Sequence, residues 1–158
     1  MKRPIPAFFP VLLLSVILFA GGFFVFTGLF DFFEPTIDGI LLQVPEPFKA
    51  FRTSLLFSLV LAFIPVLLIL IWRFAPIVSS AKKIASVITV FIFIAIAILL
   101  RHQMVKTYFT RVVKPIVSSH NNTNFLYPID PINFVYYITA GLCIGCTVSW
   151  FLFRQNKA

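Results

Sequence analysis

No Lys, Arg, His, Asp or Glu lies inside any of the chain's four long apolar runs, Val11–Phe30, Thr53–Trp72, Ile84–Leu100 and Ile132–Phe153. A charge at mid-bilayer costs at least ~2.5–3.5 kcal/mol, so a membrane chain that carries one usually uses it for a transport path. That mark of a pump is missing. Histidine is scarce: His102 and His120 are the only two, and no loop cysteine or second acidic cluster stands at metal-ligand spacing from them. The chain has no phosphate loop, nucleophile elbow, Ser/His/Asp set or HExxH. These absences speak against catalysis and imply no cofactor. Both cysteines, Cys143 and Cys146, fall in the last apolar run. The loops therefore say nothing about a reducing or oxidising compartment.

Apolar residues dominate what is present. Of 158 residues, 60% are hydrophobic and 11% charged, against roughly 25% charged in a soluble domain. Twenty helical residues cover ~30 Å, the hydrocarbon thickness of a bilayer. Backbone polar groups in lipid must pair internally, so helices are the reasonable spans, and the alternation of a membrane barrel is absent. The expectation is an all-α integral membrane protein, four transmembrane helices in an antiparallel bundle with short loops. The longest connection, Arg101–Pro131, falls short of the ~50 residues a separate domain needs. Residues 1–158 therefore read as one four-span membrane domain. Lys2 and Arg3 before an apolar stretch resemble a signal peptide. However, Leu18 stands three residues before Ala20 where a cleavage site wants a small residue, and the run continues to Phe30. The first run reads as an uncleaved span.

The net charge is +8. The cations cluster at span ends, where anionic headgroups attract them at about 1 kcal/mol each. No Lys/Arg-rich helix or aromatic-interleaved sheet supports nucleic-acid binding. Trp72 and Trp150 close the second and fourth spans, and Tyr127, Tyr136 and Tyr137 open the fourth, as rings at headgroup level do. Lys and Arg divide almost evenly between the two sides. The Lys2/Arg3 start, set against Asp31 and Glu34, favours the N-terminus inside, and the loop Arg73–Lys83 agrees with three cations and no acid. Both termini are then cytoplasmic, in a bacterial inner membrane.

Several features are candidates for function. The first connection holds Asp31, Glu34, Asp38 and Glu46; the third holds Arg101, His102, Lys106, Arg111, Lys114 and His120. With an even number of spans these connections share a face, and their opposite charges attract. The plain reading is a solvated ion-pair cap, each exposed pair worth about 0–1 kcal/mol. The sharper one makes Arg101, His102, Lys106, Arg111 and Lys114 contacts for a headgroup or partner. Ile37, Ile40 and Leu41 after Thr36 fall at helical spacing, which suits a short interfacial helix or a loop covering the bundle end. Pro65 removes a backbone donor inside the second span and crowds the carbonyl of Leu61, so a kink is expected there. Asn121-Asn122-Thr123 matches a glycosylation acceptor, which would matter only in a secretory membrane.

The fourth span is the most patterned segment. Gly141, Gly145 and Ser149 recur every four residues and form a stripe that admits another helix closely. Thr139, Cys143 and Cys146 lie on a different face. Gly21, Gly22 and Gly28 offer a second close-approach surface in the first span. Cys143-Ile144-Gly145-Cys146 has C-x-x-C spacing, in which one thiolate attacks and the other resolves. A small four-span protein with this pair in its last span resembles the vitamin K epoxide reductases in architecture. That likeness implies a membrane thiol oxidoreductase, although this chain has no second cysteine pair in a loop. A thiol in lipid is also a poor nucleophile.

Three functions follow, in order. The first is a non-catalytic membrane subunit or scaffold of a larger inner-membrane complex, meeting other subunits or itself through Gly141, Gly145 and Ser149. The second is a small oligomeric transporter, channel or lipid-handling protein. The third is the thiol oxidoreductase.

Overall fold

A computed structural model of the chain describes residues 8–34, 40–43, 47–75, 77, 79–115, 125–128 and 130–154. Four long helices carry the fold: α1 (Phe8–Phe33), α2 (Pro47–Phe74), α3 (Ser80–Tyr108) and α4 (Ile132–Phe153). Each is long and apolar enough to cross a membrane. α2 and α3 overrun their apolar runs because Lys49, Arg52, Arg73, Lys82, Lys83, Arg101 and Gln103 at their ends continue a helix as well as apolar residues do. α2 passes without a break through Pro65, which is buried. α3 continues into one π-helical turn, Phe109–Val113, where the Lys114 N–H reaches the Phe109 carbonyl.

Most hydroxyls inside the helices bond to their own preceding turn, whereas Ser15 Oγ and Ser149 Oγ are buried with no partner among the described residues. Thr53, Ser54 and Ser58 donate to the carbonyls of Lys49, Ala50 and Ser54, and Thr89, Thr139 and Thr147 do the same four residues back. These groups are satisfied without any partner helix.

The packing order is α1 on α2, α2 on α4 and α4 on α3. Burial follows that order: a third of the most apolar stretch is buried in α2 and α4, but only 11% in α1 and α3. α2 and α4 are therefore the inner helices and α1 and α3 the outer ones. The core joins Phe26 and Phe30 of α1, Phe57, Ile64 and Leu68 of α2, Val90 and Ile94 of α3, and Phe134, Val135, Ile138 and Leu142 of α4. The α3–α4 seam is the tightest. A Cβ on Gly141 would lie 2.8 Å from Ile94 Cα and from Phe93 O, and one on Gly145 would lie 2.8 Å from Val90 Cα. Only glycine allows the two backbones this close.

Of the two readings of the first connection, a short helix or a covering loop, the described part does not form the helix. Ile40, Leu41 and Leu42 are extended, in β1 (Ile40–Gln43), which pairs in parallel with β2 (Phe125–Pro128) of the third connection. The register runs from Ile40 opposite Phe125 to Gln43 opposite Pro128. A four-residue ladder satisfies the backbone of two loops at once, whereas a helix that short leaves most of its own groups orphaned. Thr36, Ile37 and the glycosylation-like Asn121-Asn122-Thr123 lie outside the described residues.

The seam makes a prediction about stability. Gly141→Ala and Gly145→Ala should each lower unfolding free energy in detergent by about 1–3 kcal/mol through overpacking. Gly21→Ala and Gly28→Ala, whose added Cβ would meet nothing within 4 Å, should leave the single chain at least as stable as the parent, with a gain of up to about 1 kcal/mol each from helix propensity. Equal losses at all four positions would contradict this packing.

Candidate functional site

The buried face of α3 is a stripe at helical spacing: Ser86, Val90, Ile94, Ala97 and then Arg101. Arg101 continues an apolar stripe, so its side chain goes where its neighbours' go, into the bundle. It is 2% exposed. Its Nη2 donates to Oε1 of Glu34, which directly follows α1 and is held to it by an N–H bond of 3.0 Å to the Phe30 carbonyl. The pair is buried on both sides, with the Glu34 side chain 10% exposed.

Two rings enclose the guanidinium. Its Cζ lies 5.5 Å from the centre of Phe30 and 5.3 Å from that of Phe134. A desolvated cation gains about 2 kcal/mol over an aromatic face. Phe134 is the hub: its ring centre lies 5.9–6.3 Å from those of Phe26, Phe30, Phe33 and Phe57. α1 thus gives Glu34 and three of these rings, α2 Phe57, α3 Arg101, and α4 Phe134. Just outside, His102 Nδ1 lies 2.9 Å from the carbonyl oxygen of Phe33. A carbonyl only accepts, so this contact is a hydrogen bond with the proton on Nδ1, and it satisfies one of the last orphan carbonyls of α1.

The pair is only partly satisfied. Arg101 Nε and Nη1 and Glu34 Oε2 have no hydrogen-bond partner among the described residues. Chemically the site offers two buried donors and one acceptor. Among the described residues no group of three His, Cys, Asp or Glu side chains could hold a metal.

This geometry corrects the expectation that Arg101 faces a headgroup. The attraction between the first and third connections is realised as a buried pair rather than a solvated cap. Its register on the α3 stripe explains why. His102 is half-buried and taken by α1, while Lys106, Arg111 and Lys114 are exposed; His120 lies outside the described residues. Gly141, Gly145 and Ser149 are buried, and the two glycines are spent on α3 within the same chain. Cys143 is an exposed free thiol and Cys146 a half-buried one. Sequence reasoning missed Phe134 altogether. Nothing in its local pattern separates it from the chain's other phenylalanines.

No family model matches the chain, and no curated protein or solved structure matches it either.

Removing one partner of this pair strands the other. Arg101→Leu should cost about 3–5 kcal/mol of stability in detergent, because the Glu34 carboxylate is left buried and uncompensated. Arg101→Leu/Glu34→Leu should recover most of that loss. A double-mutant cycle with no coupling would mean that the two side chains do not meet.

Proposed function

We propose that the chain is an integral membrane protein without catalytic activity, a four-span antiparallel bundle that works as a subunit or scaffold by associating in the bilayer. The alternation of direction is supported by the contacts of α3 with α4. Phe134 meets Arg101, Gly141 meets Ile94 and Gly145 meets Val90, so contacts descend α3 as they climb α4. Both termini then lie on one side, the cytoplasmic side of an inner membrane in this reading.

The observation that carries the association reading is on α1. It is an outer helix, and Gly21 and Gly28, seven residues apart on one face, have nothing within 4 Å of an added Cβ. At Gly21 and Gly22 an apolar groove of about 280 Å³ opens between α1 and α2. The same helix exposes large apolar side chains, Phe24 at 83% and Phe32 at 78%. A lipid tail needs no glycine, whereas a rigid neighbouring helix does. The intersubunit role first assigned to Gly141, Gly145 and Ser149 passes in this reading to Gly21 and Gly28.

A small transporter or lipid-handling protein is the second reading. Its support is the set of unpartnered buried atoms on Arg101 and Glu34. Flux or lipid transfer by the pure protein in liposomes, lost in Arg101→Leu/Glu34→Leu, would favour it.

Purification in a mild detergent tests the association reading. The expected result is a particle heavier than one chain, or a co-purifying partner. Gly21→Leu/Gly28→Leu should release it without lowering thermal stability. A monodisperse monomer with nothing bound would count against association.

A further inference from the structure

We propose that the end of the bundle formed by the α2–α3 turn and the last turn of α4 binds the phosphate headgroups of anionic phospholipids. The proposal rests on the membrane-spanning reading above. The carboxylate side chains among the described residues, Asp31, Glu34 and Asp130, stand at the end of α1 and before α4, at the Arg101 end. Among the described residues the opposite end has none. It presents Arg73 and Lys82, both exposed, and Lys83, half-buried with its Nζ 5.7 Å from the centre of the Trp72 ring. Continuing the α3–α4 contacts brings the exposed Arg154 to the level of Lys82. No carboxylate of the described residues pairs with any of these four cations.

Two of the four have an explanation within the chain. Arg73 is in the last turn of α2 and Arg154 caps α4, where the helix dipole favours a cation. Lys82 and Lys83 have the opposite placement. They sit in the first turn of α3, which holds no acid and whose cap residue Ser79 makes no side-chain bond. Positive charge there opposes the dipole. The helix dipole therefore does not account for these lysines; Lys83 gains a contact with the Trp72 ring, and an external anion would offset the charge of both. The fixed aromatic beside them sets its level. Trp72 Nε1 donates to Ser86 Oγ at 2.8 Å, and that hydroxyl donates to the Lys83 carbonyl at 2.7 Å. The ring is thereby held under the Lys83 ammonium at the height where indoles meet headgroups. The Arg101 end is different in kind: its deepest cation is already neutralised by Glu34.

The two tryptophans of the chain, Trp72 and Trp150, are both at the proposed end, so their fluorescence reports the lipid beside it. The protein is reconstituted in vesicles of phosphatidylcholine mixed with phosphatidylglycerol, with one lipid at a time brominated near the headgroup. Brominated phosphatidylglycerol should quench more strongly than its proportion predicts. The relative association constant should fall at least about threefold in Lys82→Gln/Lys83→Gln. Lys106→Gln/Lys114→Gln, which removes the same charge from the other end, should leave it unchanged. Arg73→Gln/Arg154→Gln should lower it too, and serves if the lysine variant does not fold. Equal quenching by the two lipids, or an equal fall in the Lys106/Lys114 variant, would overturn the proposal. Loss of the preference on adding inorganic phosphate, with ionic strength held constant, would overturn the lipid assignment in favour of a free-anion site. Quenching by neither lipid would remove the membrane reading itself.

Discussion

The guanidinium of Arg101, lying between the rings of Phe30 and Phe134 and bonded to Glu34, is the constraint on which the alignment of the helices depends. A buried charge is expensive, and its cost is offset only where a counter-charge and the surrounding groups fit it. That requirement fixes heights. Glu34 must end α1 level with Arg101, and Phe134 must start α4 at the same level. The glycine seam cannot do this alone. Gly141 and Gly145 are four residues apart, so sliding α4 by about 6 Å, roughly one turn, would put one glycine where the other had been. The same slide carries Phe134 away from the guanidinium. The repeat on α4 lets two helices come close, and the Arg101 cluster selects one register among those the repeat allows.

The cluster also joins elements that otherwise barely touch. α1 and α3 are the outer helices and do not pack along their lengths. Glu34 and Arg101 connect them at one end over the Phe134 ring, and β1 with β2 ties the connections at that end. The far end is held differently, by a hydrogen bond from Trp72 to Ser86 across the α2–α3 turn. One end therefore turns Arg101 and Glu34 inward, to hold the bundle, and the other has no buried charge pair among the described residues.

Much of this was legible in the sequence, by a single rule. Charge-free apolar runs located all four helices, because a span must be long and dry. The attraction between the first and third connections was legible from their opposite charges. Its burial was not read, although the signal existed: extending the stripe Ser86, Val90, Ile94, Ala97 by one more step lands on Arg101. The glycines of α4 and of α1 were both legible as close-approach surfaces. Which of them is occupied within the chain was not, since spacing states that a helix can come near and is silent on which helix does. The β ladder was hidden for a similar reason. Ile40-Leu41-Leu42 is short enough to suit helix or strand, and its partner lies far along the chain.

The two outer helices then differ in what they ask of their surroundings. The outward side of α3 carries Ile84, Ile88, Phe91, Ile92, Ile96 and Leu99, all exposed and all bulky. Flexible chains wet such a surface without any special fit. The outward side of α1 combines exposed large residues with two glycines that open onto nothing. Glycine in a helix costs about 1 kcal/mol relative to alanine, and α1 gains nothing inside the bundle from Gly21 or Gly28. At Gly141 and Gly145 the same cost is repaid by contact with α3. Gly22 shows the contrast within α1 itself, since an added Cβ there would lie 3.0–3.3 Å from Leu61 and Ser58 of α2. Two of the three glycines of α1 thus carry an unrecovered cost in the single chain, and the contact with a rigid neighbour proposed for α1 would recover it.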